Sequence, residues 1–397
     1  MKLNLCIVFN HGIAISDEEV LVPKSEAEFV LRLAQHFDRV AIAGFLGERK
    51  NGFTSNYDGV IFGRKISVFP LGRLERFVHT NHFCSKAMRY ADSLPRILLL
   101  LKKFDFLYIF VPGHIGFIVS VLCMGFKKPY GVYVRGDWGT YPSLLKLIHL
   151  QAVKRANFAI VTGPAFANRL RLLQPRIETV FPMLAFSPND VKIRRDYSLG
   201  SPINLLFVGS IVKEKGVFDL LYAIKHLNLG LRTNKRYHLI LVGTGPGLII
   251  EECLRLTRDL GISNYVTFVG HVSNPRVLRR YFEKADFFVF PSYAEGFPRV
   301  IYEAMLSGLP VIATELPGTH GVLIPSKTFV PVLPNNPLDI ARKVKILTDD
   351  ESLRVKVGSN GRRLVRCVLG GMPAQSHAEQ VILNIRRTIL SSKGFRL

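Results

Sequence analysis

The chain has 397 residues, 48% of them hydrophobic and 21% charged, which excludes a disordered polymer and leaves room for two or three packed domains. Lys and Arg total 53 against 30 Asp and Glu, a formal net charge of +23, so polyanionic partners are expected: nucleic acid, an anionic membrane face or phosphorylated substrates. The excess is even, 27 against 15 in residues 1–200 and 26 against 15 thereafter, which argues against a basic nucleic-acid-binding arm.

Strand-forming residues begin directly after Met1-Lys2, and carboxylates follow at Asp17, Glu18 and Glu19, which does not read as a signal peptide. In the first half, short apolar runs predict strands at 3–9, 39–43, 66–69, 106–111, 130–134, 158–162 and 178–181. Helical patterns occupy 25–37, 83–103, 142–155 and 164–173. The uncharged stretch from Phe106 to Phe126 has the length of a membrane span, but Pro112-Gly113-His114 interrupts it and predicts a buried strand, a turn and a short helix instead. Residues 185–202 are irregular and polar, with no strand pattern. The rhythm then restarts with strands at 203–208, 238–242, 265–269, 286–290, 310–313 and 328–330. Helices are expected at 216–229, 248–260, 274–283, 298–308, 336–347 and 375–391.

Continuous apolar strands alternating with helices predict parallel sheets covered on both faces. The expected organisation is therefore α/β: two Rossmann-like parallel-sheet domains, 1–185 and 203–374, joined by a linker at 186–202 and facing a central cleft. Ligands of such folds bind outside the carboxyl ends of the strands. Residues 375–397 are expected to form a helix that packs back on the first domain.

The densest chemistry lies between Phe288 and Gly321. A strand runs into Pro291-Ser292, then Ala294-Glu295-Gly296-Phe297-Pro298, with Pro298 suited to open a helix because its missing N–H costs nothing there. A helix start suits a phosphate, and carboxylates beside it can accept hydrogen bonds from sugar and ribose hydroxyls. Taken alone, Arg299 and Glu303 also fit a simple helix-surface pair. Upstream stand three further strand-end turns. They are Gly209-Ser210-Ile211-Val212-Lys213-Glu214-Lys215-Gly216, Leu241-Val242-Gly243-Thr244-Gly245-Pro246, and Phe268-Val269-Gly270-His271-Val272.

Together these four motifs, in order over about 203–325, resemble the donor domain of family four of the retaining glycosyltransferases, enzymes of the GT-B fold and of the glycosyl transferases group 1. The resemblance implies that Glu303 holds the donor ribose, that Glu295 contacts hydroxyls of the transferred sugar, and that Gly296 and Phe297 offer amides to sugar and diphosphate. It implies that Lys215 neutralises the leaving diphosphate, that Gly209, Ser210 and Gly243 shape the phosphate-side turns, and that Val272 lies beneath the base. The family often carries arginine where this chain has Ser210, and Lys213 or Arg299 could supply the missing cation. On the acceptor side, Asn10-His11-Gly12 takes the place of the family's first glycine loop. Two positions compete for the family's mid-domain histidine: His114, after the strand at 106–111, and Asp137, in Arg135-Gly136-Asp137-Trp138 after the strand at 130–134.

No Asp-x-Asp motif and no Gly-x-x-x-x-Gly-Lys-Ser/Thr loop occurs, so no cofactor and no metal is expected, with lysine and a helix start serving the diphosphate. Cys6, Cys84, Cys123, Cys253 and Cys367 form neither a metal spacing nor a disulfide framework, in keeping with a reducing compartment. The resemblance thus implies a retaining hexosyltransferase that moves sugar from a nucleotide-diphosphate sugar to a glycan or lipid-linked acceptor, in cell-surface polysaccharide or lipopolysaccharide assembly. Residues 146–195 carry nine Lys and Arg against two carboxylates, and 61–110 nine against three. That balance suggests peripheral attachment to the anionic cytoplasmic leaflet, with no nucleic acid partner. Two other readings stay open: a nucleotide-sugar epimerase or hydrolase on the same fold, and a non-catalytic basic protein binding membrane or nucleic acid.

Overall fold

The structure, a computed structural model, describes residues 3–10, 12–16, 19–48, 59–61, 63–73, 83–135, 143–181, 184–185, 190–192, 194, 196–230, 235–293, 295, 297–316, 319, 322–369 and 373–392. The chain divides into two compact units, Met1–Met183 with Pro373–Leu397, and Leu184–Met372.

The first unit contains β1 (Asn4–Val8), β2 (Ile13–Ser16), β3 (Glu19–Val22), α1 (Lys24–Ala34), β4 (Arg39–Glu48), β5 (Gly59–Ile61) and β6 (Ile66–Arg73). There follow α2 (Phe83–Lys103), β7 (Phe106–Val111), α3 (His114–Gly125), β8 (Tyr130–Val134), α4 (Ser143–Arg155), β9 (Phe158–Thr162), α5 (Pro164–Leu170) and β10 (Ile177–Val180). Among the described residues the strands form one sheet in the order β10-β9-β8-β7-β1-β4-β2-β3-β5, with β6 also paired to β4. The uncharged stretch 106–126 resolves into the fully buried strand β7, a turn and α3. Among the described residues no helix is long and apolar enough to cross a membrane. The parallel core was expected, whereas β2, β3 and β5 were not. They are three- and four-residue pieces, and β3 pairs antiparallel with β2 and β5. Segments this short carry no usable periodicity.

Both faces of this sheet are covered. On one, Ile97 and Leu100 of α2, Val119 of α3, Val153 of α4 and Leu170 of α5 pack against Leu107, Ile109 and Val132. On the other, Phe29 and Leu33 of α1 meet Val381 and Ile385, which lie in the chain's last helix, Pro373–Ser392, α12 once the second unit is counted.

The second unit contains β11 (Ile203–Val208), α6 (Val217–Lys225), β12 (Tyr237–Val242), α7 (Gly247–Asp259), β13 (Val266–Gly270), α8 (Pro275–Lys284) and β14 (Phe287–Phe290). It continues with α9 (Arg299–Leu306), β15 (Val311–Thr314), β16 (Val330–Val332), α10 (Pro337–Asp349) and α11 (Glu351–Leu369). Its sheet is parallel, in the order β13-β12-β11-β14-β15-β16. The irregular segment read as a linker is packed into this unit. Arg194 donates to the Glu283 and Ala285 carbonyls at 3.0 and 2.6 Å, Arg354 to the Tyr197 carbonyl at 2.8 Å, and Arg362 to the Lys192 carbonyl at 2.9 Å. Arginine side chains here make the backbone hydrogen bonds that a regular element would otherwise supply. The sequence pattern also missed α11. Its start is capped by Asp350, whose Oδ1 accepts from the Leu353 N–H at 2.8 Å.

Candidate functional site

In the second unit, three neighbouring strands, β12, β11 and β14, deliver their following turns to one edge. Pairing continues past the strand ends: Gly209 N–H donates to the Val242 carbonyl at 3.0 Å, Ile211 N–H to Thr244 at 2.9 Å and Gly243 N–H to Gly270 at 2.8 Å. Two glycines permit this closeness. Gly243 has φ +142°, and a Cβ there would overlap the Gly209 carbonyl. Gly216 has φ +68°, and a Cβ there would overlap the Pro291 carbonyl. The first turn therefore sits directly against the turn that follows β14.

That contact brings Lys215 to Glu295, 80 residues further on. The Nζ of Lys215 forms an ion pair with Oε1 of Glu295 and lies 5.7 Å from the centroid of the Phe290 ring. Both side chains are about three-quarters or more buried, at 19% and 24% exposure. The loop carrying Glu295 is tied down before it arrives. Tyr293 N–H donates to the Glu214 carbonyl at 2.8 Å, Ser292 Oγ to the same carbonyl at 3.3 Å, and the Tyr293 hydroxyl to Asp219 Oδ2 at 2.7 Å. Burial pushes the Asp219 carboxyl above its usual range, against the pull of the Tyr293 hydroxyl and the Asn335 N–H. Sequence reasoning singled out neither Asp219 nor Tyr293. An acidic residue in the first turn of α6 reads as an ordinary helix-start carboxylate, and its partner is 74 residues away.

Glu303 is buried rather than at the surface: it is 4% exposed, and its Oε1 accepts from the Ala185 N–H at 2.9 Å. Burial raises its pKa, opposed by the charge of Arg299 and by the Ala185 bond. Arg299 itself is exposed at the start of α9. Phe297 is buried and stacks on Tyr302, ring centroids 4.8 Å apart and planes 14° from parallel. Ser210 is exposed next to Gly209, and Val272 is half-buried just beyond β13. Lys213 is engaged elsewhere, 3.1 Å from Glu252 of α7 and over the Phe218 ring. Gly296 lies outside the described residues. No group of three or more His, Cys, Asp or Glu among the described residues could hold a metal ion.

In the first unit the carboxyl edge gathers part of the expected acceptor-side set. Asn10, at the end of β1, donates from Nδ2 to the Pro112 carbonyl at 2.8 Å and packs against Gly113. His114 opens α3 there and is exposed, and Gly12 lies two residues beyond Asn10. The imidazole of His149 is pushed down to about 4, by burial first and by the charge of His114 second. Arg135 holds α1, 2.7 Å from the buried Glu26 and stacked over Phe110 and Tyr133. His11 and Asp137 lie outside the described residues.

The family model described as Glycosyl transferases group 1 matches residues 191–364, which lie in the second unit. Protein CapJ of Staphylococcus aureus is 26% identical over 66% of this chain and 67% of its own length. The capsular polysaccharide biosynthesis glycosyltransferase CapM of Staphylococcus aureus is 32% identical over 40% of each chain, so the match spans less than half of that relative. The crystal structure of Anabaena HepE in complex with UDP and glucose superposes with a TM-score of 0.69 at 15% identity, covering 97% of this chain and all of that one. Both sheets thus follow the GT-B architecture, and residues 191–364 are similar to the group 1 glycosyltransferases.

Proposed function

We propose that the enzyme transfers a hexose-type sugar, with retention of anomeric configuration, from a nucleotide-diphosphate sugar to a glycan or lipid-linked acceptor. The observation that carries this reading is the meeting of Lys215 and Glu295 at the glycine turns, with buried Glu303 on the helix that follows. A cation beside closely packed backbone turns suits a diphosphate, and the paired carboxylate suits sugar hydroxyls. On donor binding the diphosphate competes for Lys215 Nζ, and Glu295 turns to the sugar. Arg299, exposed at the start of α9, takes the role of the cation missing at Ser210. Glu303 receives the ribose hydroxyls, and Phe297, Gly296, Gly209, Gly243 and Val272 line the donor. HepE, of the same fold, was crystallised with UDP and glucose, which supports a UDP-type donor.

In the transfer step the bond from the anomeric carbon to the diphosphate oxygen breaks, and the diphosphate leaves with the electron pair. The acceptor hydroxyl attacks from the same face and gives its proton to a diphosphate oxygen. His114, Gly12, His11 and Asp137 belong to the acceptor side. CapM, by name a capsular polysaccharide enzyme, supports cell-surface polysaccharide assembly, and the basic first unit supports meeting the acceptor on the anionic cytoplasmic face of a membrane.

The test is nucleoside-diphosphate release from a panel of nucleotide hexoses, with and without glycan acceptors. Release that depends on an acceptor, and that Lys215→Ala and Glu303→Ala each abolish in folded protein, is the expected result. Near-normal release in both variants overturns the site, and rapid consumption of donor without acceptor indicates an epimerase or hydrolase.

A further inference from the structure

We infer that the amino edge of the first unit's sheet is a docking surface for an anionic lipid bilayer. Adjacent parallel strands β7, β8, β9 and β10 each begin just after a helix on the same face. The first three of those helix-to-strand junctions each carry two neighbouring cations: Lys102-Lys103, Lys127-Lys128 and Lys154-Arg155. The fourth adds Arg171 and Arg176. All are exposed except the half-buried Lys128, and no carboxylate among the described residues forms an ion pair with any of them. At about 4.8 Å between strands, the four junctions span roughly 15 Å. Between residues 93 and 176 the sequence holds twelve Lys and Arg but only Asp105 and Asp137 as carboxylates, and Asp105 Oδ2 is taken by the Asn4 N–H at 2.8 Å.

Large apolar side chains protrude among these cations. Leu172 is 95% exposed, Phe126 64% and Leu99 56%. Cations at helix ends complement the helix dipole, but that effect requires neither two at every junction nor bare leucine and phenylalanine beside them. In the second unit α10 ends at Asp349 and is followed by Asp350. The opposite face of the first unit is mixed in charge, with Arg32 of α1 and Glu379 of α12 3.6 Å apart. Exposed apolar tips ringed by lysine and arginine match a headgroup layer, where cations meet lipid phosphates and apolar groups enter the acyl boundary.

Docking by this edge, which rests on the proposed membrane-linked acceptor, has a consequence for substrate. The carboxyl edge with Asn10 and His114 stands a strand length from the headgroups, about 20 Å for the six residues of β7. The surface therefore selects a lipid-linked acceptor whose reacting sugar is carried outward on a glycan spacer, over a bare lipid headgroup.

Vesicle flotation tests the inference, comparing phosphatidylcholine vesicles with vesicles that also contain phosphatidylglycerol. Wild type is expected to float only with the anionic vesicles. Lys127→Glu/Lys128→Glu, Lys154→Glu/Arg155→Glu and Phe126→Ser/Leu172→Ser should each lower that binding roughly tenfold or more, while Arg32→Glu on the opposite face should not. UDP titration of the same samples separates the two proposals. If vesicle binding is lost in wild type but UDP binds, the docking surface alone fails; if UDP does not bind, the donor reading fails whatever the vesicles show. Retained UDP binding in the variants also shows that they are folded. Equal binding to both vesicle types, equal loss in Arg32→Glu, or binding to random duplex DNA without vesicle preference would overturn the docking surface.

Discussion

Glu303, proposed to hold the donor ribose, would serve binding at a cost to the fold. Its carboxyl is buried, and its pKa is raised chiefly by that burial. A raised acid favours the protonated form in the native state, so its stabilising contribution is present at low pH and is lost as pH rises through its folded pKa. Replacement by glutamine keeps the shape and removes the buried charge. Thermal melts of Glu303→Gln should match wild type at acid pH and equal or exceed it at neutral pH, while UDP affinity falls. A less stable variant at neutral pH would make Glu303 a structural anchor for Ala185 instead. The spacing of Glu295 and Glu303 was readable from one stretch of sequence. The pairing of Glu295 with Lys215 was not, because Gly216 lets its turn touch the distant turn after β14. The Arg299–Glu303 pair was a local reading; the charge of Arg299 does act on Glu303, but the carboxyl is buried rather than at the surface.

Among the elements, the loop after β14 is the part on which the site depends. It is held by Glu214 and Asp219 rather than by its own structure. Tyr293→Phe removes a hydrogen bond to a buried carboxylate, a loss of about 1–3 kcal/mol. A melting temperature lowered by several degrees is expected, together with a fall in kcat, because Glu295 loses its fixed approach to Lys215. Steady-state kinetics on the variant check this, and unchanged kcat with unchanged Tm would show that Tyr293 does not hold the loop. Elements that bury both faces were legible as apolar runs, as in β7 and β11. Those that depend on partners were not. Gly358-Ser359-Asn360-Gly361, residues of low helix propensity, lie inside α11, where Gly358 packs closely against Tyr197. Residues 186–202 read as a linker because arginine side chains elsewhere in the chain, Arg354 and Arg362, donate to the Val191, Lys192 and Tyr197 carbonyls.

At the scale of the whole chain, the net charge of +23 is proposed to serve two different partners. Lys215 and Arg299 are assigned to one anion, the diphosphate of the donor. The paired cations at the starts of β7 to β10 are assigned to another, a lipid surface. The alternating strands and helices predicted the α/β architecture, and the four donor-side motifs resembled the family whose model matches residues 191–364. The proposed acceptor side was less legible, because Asn10 and His114 stand singly after strands with no repeated spacing. The second unit is proposed to hold a nucleotide-diphosphate donor through Lys215 and Glu303. Calorimetric titration of UDP into wild type, Lys215→Ala and Glu303→Ala tests it most directly. Loss of a charge-assisted hydrogen bond costs about 1.5–3 kcal/mol, so each variant should bind UDP more than tenfold more weakly than wild type. Equal affinity in all three proteins, or no binding of UDP or any other nucleoside diphosphate by wild type, would contradict it.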